Sequence, residues 1–287
     1  MLTVLGNLAV IFTISHFKHL HTPTNMLLIS LAFADFLVGS IIMPFYLPSS
    51  IDACWYFGDV VCFIFVISAL VAFAVSVTNI VFIAFDHYFA VCYPLLYSTK
   101  ITFRVTLSSV AFSWLLSLLY AFLMFYMNGN FNGLDTLRKC LGECLVIFNE
   151  TLKVVDMACM FVIPCSIVML LHGKIFMIAR RHVKIINAMA NQIHSKCNNK
   201  GGIPKKSEKK AATTLGIVVL VYIFCWVPYY TSIIINEYLV ITVPSSVSVS
   251  LTWLIYLNSC MNPIIYALYY PWFQNSLKQM LNLKIRF

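Results

Sequence analysis

A series of apolar runs too long for any aqueous core constrains this chain more than any other feature. They occupy residues 24–48, 60–85, 105–127, 154–173, 211–235 and 247–269, and a shorter run covers 1–15. A bilayer core about 30 Å thick takes about 20 mainly apolar residues in a helix. Counted in chain order, with 1–15 as segment one, the runs give seven spanning segments. Composition agrees: 61% of the 287 residues are hydrophobic and 10% are charged, whereas a soluble domain carries about 25% charged residues. The expected fold is an all-α membrane protein, a seven-transmembrane helix bundle over residues 1–270. A short amphipathic helix and cytoplasmic tail follow at 271–287.

Charge sets the orientation. The net charge of +9 would on its own suit a nucleic acid. With the N-terminus outside, however, 16 of the 19 Lys and Arg residues fall in cytoplasmic loops and tail, and only Arg138, Lys139 and Lys153 face outward. Such an excess inside is what orients spanning helices. The basic surface reads as topology and as a cytoplasmic partner surface, and no nucleic-acid-binding motif competes. The run at 1–15 lacks the basic start and small-residue cleavage site of a signal peptide. As a helix it covers about 22 Å at roughly 1.5 Å per residue, short of the bilayer core, so segment one is expected to be clipped by a truncated start.

The loops follow: 16–25, 86–104 and 180–208 inside, 49–59, 128–150 and 236–246 outside. Residues 191–210 are polar and carry Gly201, Gly202 and Pro204, the composition of a mobile loop. Trp272, Phe273, Leu277, Met280 and Leu281 recur at helical spacing around Lys278, which suits an amphipathic helix on the inner leaflet. No cysteine follows it to carry a palmitoyl chain. The ten cysteines are too scattered for a metal site. Cys54, Cys62, Cys140 and Cys144 lie in the oxidising outer compartment, where a bridge can form; Cys92, Cys197 and Cys225 are expected to be free. Asn149-Glu150-Thr151 is an N-glycosylation sequon in a predicted outer loop.

Each segment also carries a mark. Segment one has Gly6-Asn7, and segment two places Asp35 in the middle of an apolar run. Segment three opens with Cys62 and closes with Asp86-His87-Tyr88; segment four holds Trp114 and segment five Pro164. Segment six has Cys225-Trp226-Val227-Pro228 and segment seven Asn262-Pro263-Ile264-Ile265-Tyr266. In this order and at these intervals the set resembles the rhodopsin-like class of G-protein-coupled receptors. The string Asn258-Ser259-Cys260-Met261-Asn262-Pro263-Ile264-Ile265-Tyr266, continuing to Tyr270, Trp272 and Phe273, is similar to the fingerprint of trace amine-associated receptors. His21-Thr22-Pro23-Thr24-Asn25, Cys54-Trp55-Tyr56-Phe57-Gly58 and Tyr93-Pro94-Leu95-Leu96-Tyr97 look like that family too, so the resemblance covers nearly the whole chain.

The resemblance implies a disulfide between Cys62 and Cys144, with Cys140 left over because its partner belongs to an N-terminal tail. It also implies an aspartate in segment three to hold a ligand's ammonium, and that position is Ala69. Asp156 lies eight residues before Pro164, about 12 Å nearer the outside along a helix. An ionised group inside a spanning segment is costly and marks a functional site by default. A subset of the family is similar in carrying its aspartate here, which implies an ammonium bound by Asp156 and a ligand reversed in the pocket. The competing reading is structural: Asp156 near a helix N-terminus, where the dipole favours an anion, or paired with Lys153. Phe73, Trp226, Tyr229, Tyr230, Trp253 and Tyr256 are the expected walls, aromatic faces attracting a cation by roughly 0.5–2 kcal/mol each, although packing accounts for such residues equally well. A second ammonium would need a second acid, and Glu237 at the outer rim is the candidate.

Asp35 with Asn7, Ser76, Asn258, Ser259 and Asn262 resembles the cluster that holds a sodium ion in this class. Oxygen ligands suit a hard cation, and binding in one state only would bias a two-state equilibrium; a satisfied polar network without an ion is the alternative. The expected activation switch comprises Asp86, His87, Trp226, Asn262, Pro263 and Tyr266. Two residues depart from the usual pattern: His87 stands for an arginine and His172 for a tyrosine. Arginine is always charged and offers five donors, whereas histidine is mostly neutral near pH 7. The G-protein contact and any inactive-state bridge to Glu208 should weaken, and signalling should become pH-dependent.

The expectation is therefore a plasma-membrane receptor for small, trace or volatile amines, olfactory in role, coupled to a heterotrimeric G protein and surrounded by lipid. No cofactor is expected beyond the sodium ion. A receptor that binds without signalling is the main rival, favoured by the clipped start, His87 and His172. A monoamine neurotransmitter receptor is disfavoured by Ala69. A transporter would want inverted repeats or broken, Gly-rich helices, and an enzyme would want a nucleophile–base pair or phosphate loop; neither pattern occurs.

Overall fold

The structure, a computed structural model, describes residues 1–52, 54–128, 144, 148–194, 206–239 and 242–284. Lipid offers no partner to backbone N–H and C=O groups, so a chain crossing it satisfies them internally, and the described spanning stretches are helical throughout. Segment one is Leu2–His16, segment two Pro23–Asp52, segment three Gly58–Cys92 and segment four Phe103–Met127. Segment five runs from Glu150–Met157 through a π turn, Ala158–Val162, into Ile163–His194. Segments six and seven are Lys206–Tyr238 and Ser245–Tyr269, and the amphipathic helix is Pro271–Lys284.

Segments two to six are long and apolar enough to cross a membrane. Segment one has 15 residues, and segment seven, with 25, is interrupted by polar residues including Asn258, Ser259 and Asn262. Both belong to the bundle by packing: segment seven lies along six and one, and segment one along two. Segment three is the central strut, packed against two, four, five and six. The molecule is a helical, multi-pass membrane protein.

Several helices outrun their apolar stretches. Segment three continues to Cys92, five reaches His194, and the inner loop after three contains a further helix, Pro94–Lys100. An apolar run records contact with lipid, whereas a helix ends where its hydrogen bonds stop. Of the predicted inner loop, residues 195–205 lie outside the described residues, as do Arg138, Lys139 and Cys140 and the side chains of Glu208, Met280 and Leu281.

Local chemistry explains the boundaries. Thr22, Thr102 and Asn149 cap segments two, four and five by accepting the backbone N–H three residues on, at 3.3, 3.3 and 2.9 Å. Pro23 at the first helical position carries no N–H to leave unpaired. The two π turns, Val38–Ile42 and Ala158–Val162, end just before Pro44 and Pro164. Proline lacks an N–H and presses on the carbonyl four residues back; widening the helix relieves the clash. In segment five that carbonyl is Met160's, and the Tyr222 hydroxyl of segment six donates to it. Segments one and seven touch because Gly6 has no side chain: a Cβ there would sit 2.9 Å from Pro263 Cβ.

Candidate functional site

A cavity of about 300 Å³ opens in the outer half of the bundle. The Cys62–Cys144 disulfide ties Cys144 to the top of segment three, and Cys144 and Phe148 line the cavity. Segment five contributes Asp156; among the described residues it is the only carboxylate lining the cavity, and neither Lys nor Arg lines it. Ala69 of segment three faces the same space. The Tyr120 hydroxyl of segment four donates to Asp156 Oδ1 at 2.6 Å, and the Tyr230 hydroxyl of segment six donates to Oδ2 at 3.0 Å.

This geometry bears on the structural reading of Asp156. Lys153 pairs instead with Glu237 across segments five and six. Asp156 is the seventh residue of Glu150–Met157, past the first turn in which a helix dipole acts. An ionised carboxylate has about four acceptor sites, so after the two phenols it retains lone pairs for a cation. Cavities of this size lie at the small end of ligand pockets, roughly 300–1,000 Å³.

Five of the six expected aromatic walls line the cavity: Phe73, Trp226, Tyr229, Tyr230 and Tyr256. Phe73 stacks on Tyr256 with ring centroids 5.8 Å apart and meets Trp226 edge-on at 5.8 Å. Trp253 stands one layer back, edge-on to Tyr46 at 5.6 Å and Tyr256 at 5.5 Å. Tyr46 and Tyr120 line the cavity without having been expected. A buried tyrosine hydroxyl wants a hydrogen-bond partner, which was the available signal for Tyr120, but no motif or spacing tied it to Asp156.

Below the cavity, Asp35 is wholly buried. Ser76 donates to its Oδ1 at 3.3 Å, Asn262 to Oδ2 at 2.7 Å, and Ser259 bonds it as well. The Asn7 amide donates to the Ser259 carbonyl at 3.1 Å, and Asn258 is buried beside it. These residues bring together segments one, two, three and seven.

At the inner end, Asp86 is held by Thr24 at 2.6 Å and Tyr97 at 2.9 Å. Burial pushes the Tyr97 hydroxyl up to about 12, so it stays protonated as a donor. His87 Nδ1 lies 3.7 Å from Asp86 Oδ2 and bonds the Ile83 carbonyl of its own helix at 3.0 Å. His172 does the same with Val168 at 2.8 Å. Pro263 and Tyr266 are buried in segment seven.

Comparison with known proteins agrees with this architecture. The model of the seven-transmembrane receptor (rhodopsin family) matches residues 6–266. Trace amine-associated receptor 13c of Danio rerio is 41% identical over 286 residues, which cover 99% of this chain and 83% of that protein. Trace amine-associated receptor 1 of Macaca mulatta is 39% identical and that of Homo sapiens 38%, each over 99% of this chain and 85% of the relative. Such identity along a chain whose fold and segment marks already point the same way places it in the rhodopsin family of seven-transmembrane, G-protein-coupled receptors, as one of the trace amine-associated receptors.

Proposed function

We propose that this receptor sits in the plasma membrane with its N-terminus outside and its C-terminus in the cytoplasm. There it detects a small trace or volatile amine in an olfactory role and signals to a heterotrimeric G protein. The observation that carries this reading is Asp156, the one carboxylate on the outer cavity among the described residues, with alanine at position 69. The ligand's ammonium binds Asp156 and its apolar part extends among Phe73, Trp226, Tyr229 and Tyr256. One acid fits one ammonium, because Glu237 is already paired with Lys153. Asn149, exposed at the outer start of segment five, is the proposed glycan acceptor.

The path inward starts at the counter-ion. Tyr230 bonds Asp156 and stacks on Trp226 with centroids 5.9 Å apart; Trp226 lies 5.5 Å from Tyr222, whose hydroxyl returns to segment five at Met160. An ammonium that takes up the free acceptor sites of Asp156 alters the hold on Tyr230 and so the seating of segment six. Asn262, Pro263 and Tyr266 extend the path along segment seven.

A sodium ion would be held by Asp35 and Ser76, with Asn258, Ser259 and Asn262 around it. The oxygen-rich donor set suits a hard cation, and Asn7 Oδ1 beside it is buried without a hydrogen-bond partner among the described residues. Bound there, the ion would supply positive charge to Asp35. The chain's own contribution is the Asn262–Asp35 bond, which draws segment seven toward segment two.

A receptor that binds without signalling is a second reading, favoured by His87 being turned onto its own helix. Second-messenger responses to an amine panel test both, using the parent, Asp156→Ala and His87→Arg at matched surface expression. A response lost in Asp156→Ala supports the counter-ion, and one that survives overturns it. Binding without response in the parent, restored by His87→Arg, selects the second reading.

A further inference from the structure

We propose that Tyr120 and Tyr230 make the site selective for primary ammonium groups, with Tyr120 of segment four as a specificity-determining residue. The inference rests on Asp156 being the counter-ion. Each phenol commits its only proton to a different carboxylate oxygen, Tyr120 to Oδ1 at 2.6 Å and Tyr230 to Oδ2 at 3.0 Å. A hydroxyl that donates keeps its acceptor lone pairs, and both rings line the cavity. The carboxylate is therefore flanked by two further acceptors, carried by different segments.

A primary ammonium has three N–H donors and can give one to Asp156 and one to each phenol oxygen. Each N-methyl group removes a donor and sets a hydrocarbon against an oxygen that has lost its water. A site built to hydrogen-bond its ligand rejects analogues that leave its buried polar groups unpaired. The phenols are neutral, so they discriminate by the number and direction of N–H groups, while Asp156 supplies the charge attraction common to all amines. The remaining walls are mostly apolar or aromatic and accept the hydrocarbon part without counting donors.

The test is equilibrium binding of tritiated 2-phenylethylamine to membranes carrying the full chain. Its N-methyl and N,N-dimethyl derivatives compete, against the parent, Tyr120→Phe, Tyr230→Phe and Asp156→Asn. In the parent, affinity should fall about 10- to 100-fold from the primary to the N,N-dimethyl compound, the size of one or two lost hydrogen bonds to a charged group. Tyr120→Phe should weaken the primary amine about tenfold and leave the N,N-dimethyl compound within about threefold, so the ratio collapses. Tyr230→Phe should compress the same ratio without touching segment four, which keeps the test alive if Tyr120→Phe fails to fold. Equal weakening of all three compounds in both variants would mean that the phenols only brace the carboxylate; the selectivity falls while the counter-ion stands. Undiminished binding of all three by Asp156→Asn, or none by the parent, overturns the counter-ion and the selectivity together.

Discussion

Asp35 and Asp156 both lie inside the bundle, and their surroundings differ in kind. Asp35 is wholly buried and receives Ser76, Ser259 and Asn262, donors from segments three and seven. Asp156 receives one phenol on each oxygen and borders a cavity of about 300 Å³. The first is a knot that holds helices together; the second is a held charge with space beside it. Burial of a carboxylate alone does not mark a ligand site. Acceptor capacity left over next to a cavity does.

The largest effect that could break this contrast is at the knot. Asp35→Ala strips the acceptor from three donors, each left unsatisfied at about 1–3 kcal/mol. Thermal unfolding and surface expression should drop sharply, while amine affinity in the surviving receptor stays within about threefold, roughly 0.7 kcal/mol. A variant that loses amine binding and keeps its stability would erase the distinction between the two aspartates.

Room to spare separates the regions next. Gly6→Leu forces a side chain onto Pro263, where even a Cβ would sit at 2.9 Å, and overpacking costs about 1–3 kcal/mol. Ala69→Leu, facing the cavity, should leave the unfolding temperature unchanged and weaken amine binding by occupying ligand space. Equal losses of stability in the two variants would mean that the outer cavity is no looser than the inner contact.

A smaller effect is expected at the joint between the regions. Tyr222→Phe orphans the Met160 carbonyl that Pro164 already deprives of its helical partner, a loss of about 1 kcal/mol. Calorimetry should register it with ligand affinity unaltered. The rim pair is the smallest: Lys153 and Glu237 side chains are each 23% exposed, so a double-mutant cycle should give about 0–1 kcal/mol of coupling. Glu237→Ala should not change binding of a single-ammonium ligand.

Much of this was legible from residues alone. Apolar runs of spanning length located the segments, and the order of Asn7, Asp35, Cys62, Trp114, Pro164, Pro228 and Pro263 assigned each one. The Cys62–Cys144 bridge followed from the resemblance, and five of the six aromatic residues expected as walls line the cavity. Asp156 stood out because lipid makes any intramembrane acid expensive. Tyr120 did not, since a tyrosine in an apolar segment has no address until tertiary packing supplies a partner for its hydroxyl. Trp253 was expected on the wall and stands behind Tyr46 and Tyr256, because helical register gives the face of a residue but not the depth of the layer in front of it. The helix ends at Cys92 and His194, past apolar runs that stop at Phe85 and Gly173, were likewise invisible, as backbone hydrogen bonding continues where apolar composition stops.

The most direct measurement is binding of a tritiated single-ammonium amine to membranes bearing the parent, Asp156→Ala or Asp35→Ala at matched receptor density. Removing the partner of a desolvated charge costs about 2–5 kcal/mol, or about 30- to 4,000-fold in affinity. The prediction is that loss in Asp156→Ala and near-parental affinity in folded Asp35→Ala. Parental affinity in Asp156→Ala would contradict the account, for the ammonium would then be held without the one acid the outer cavity presents among the described residues.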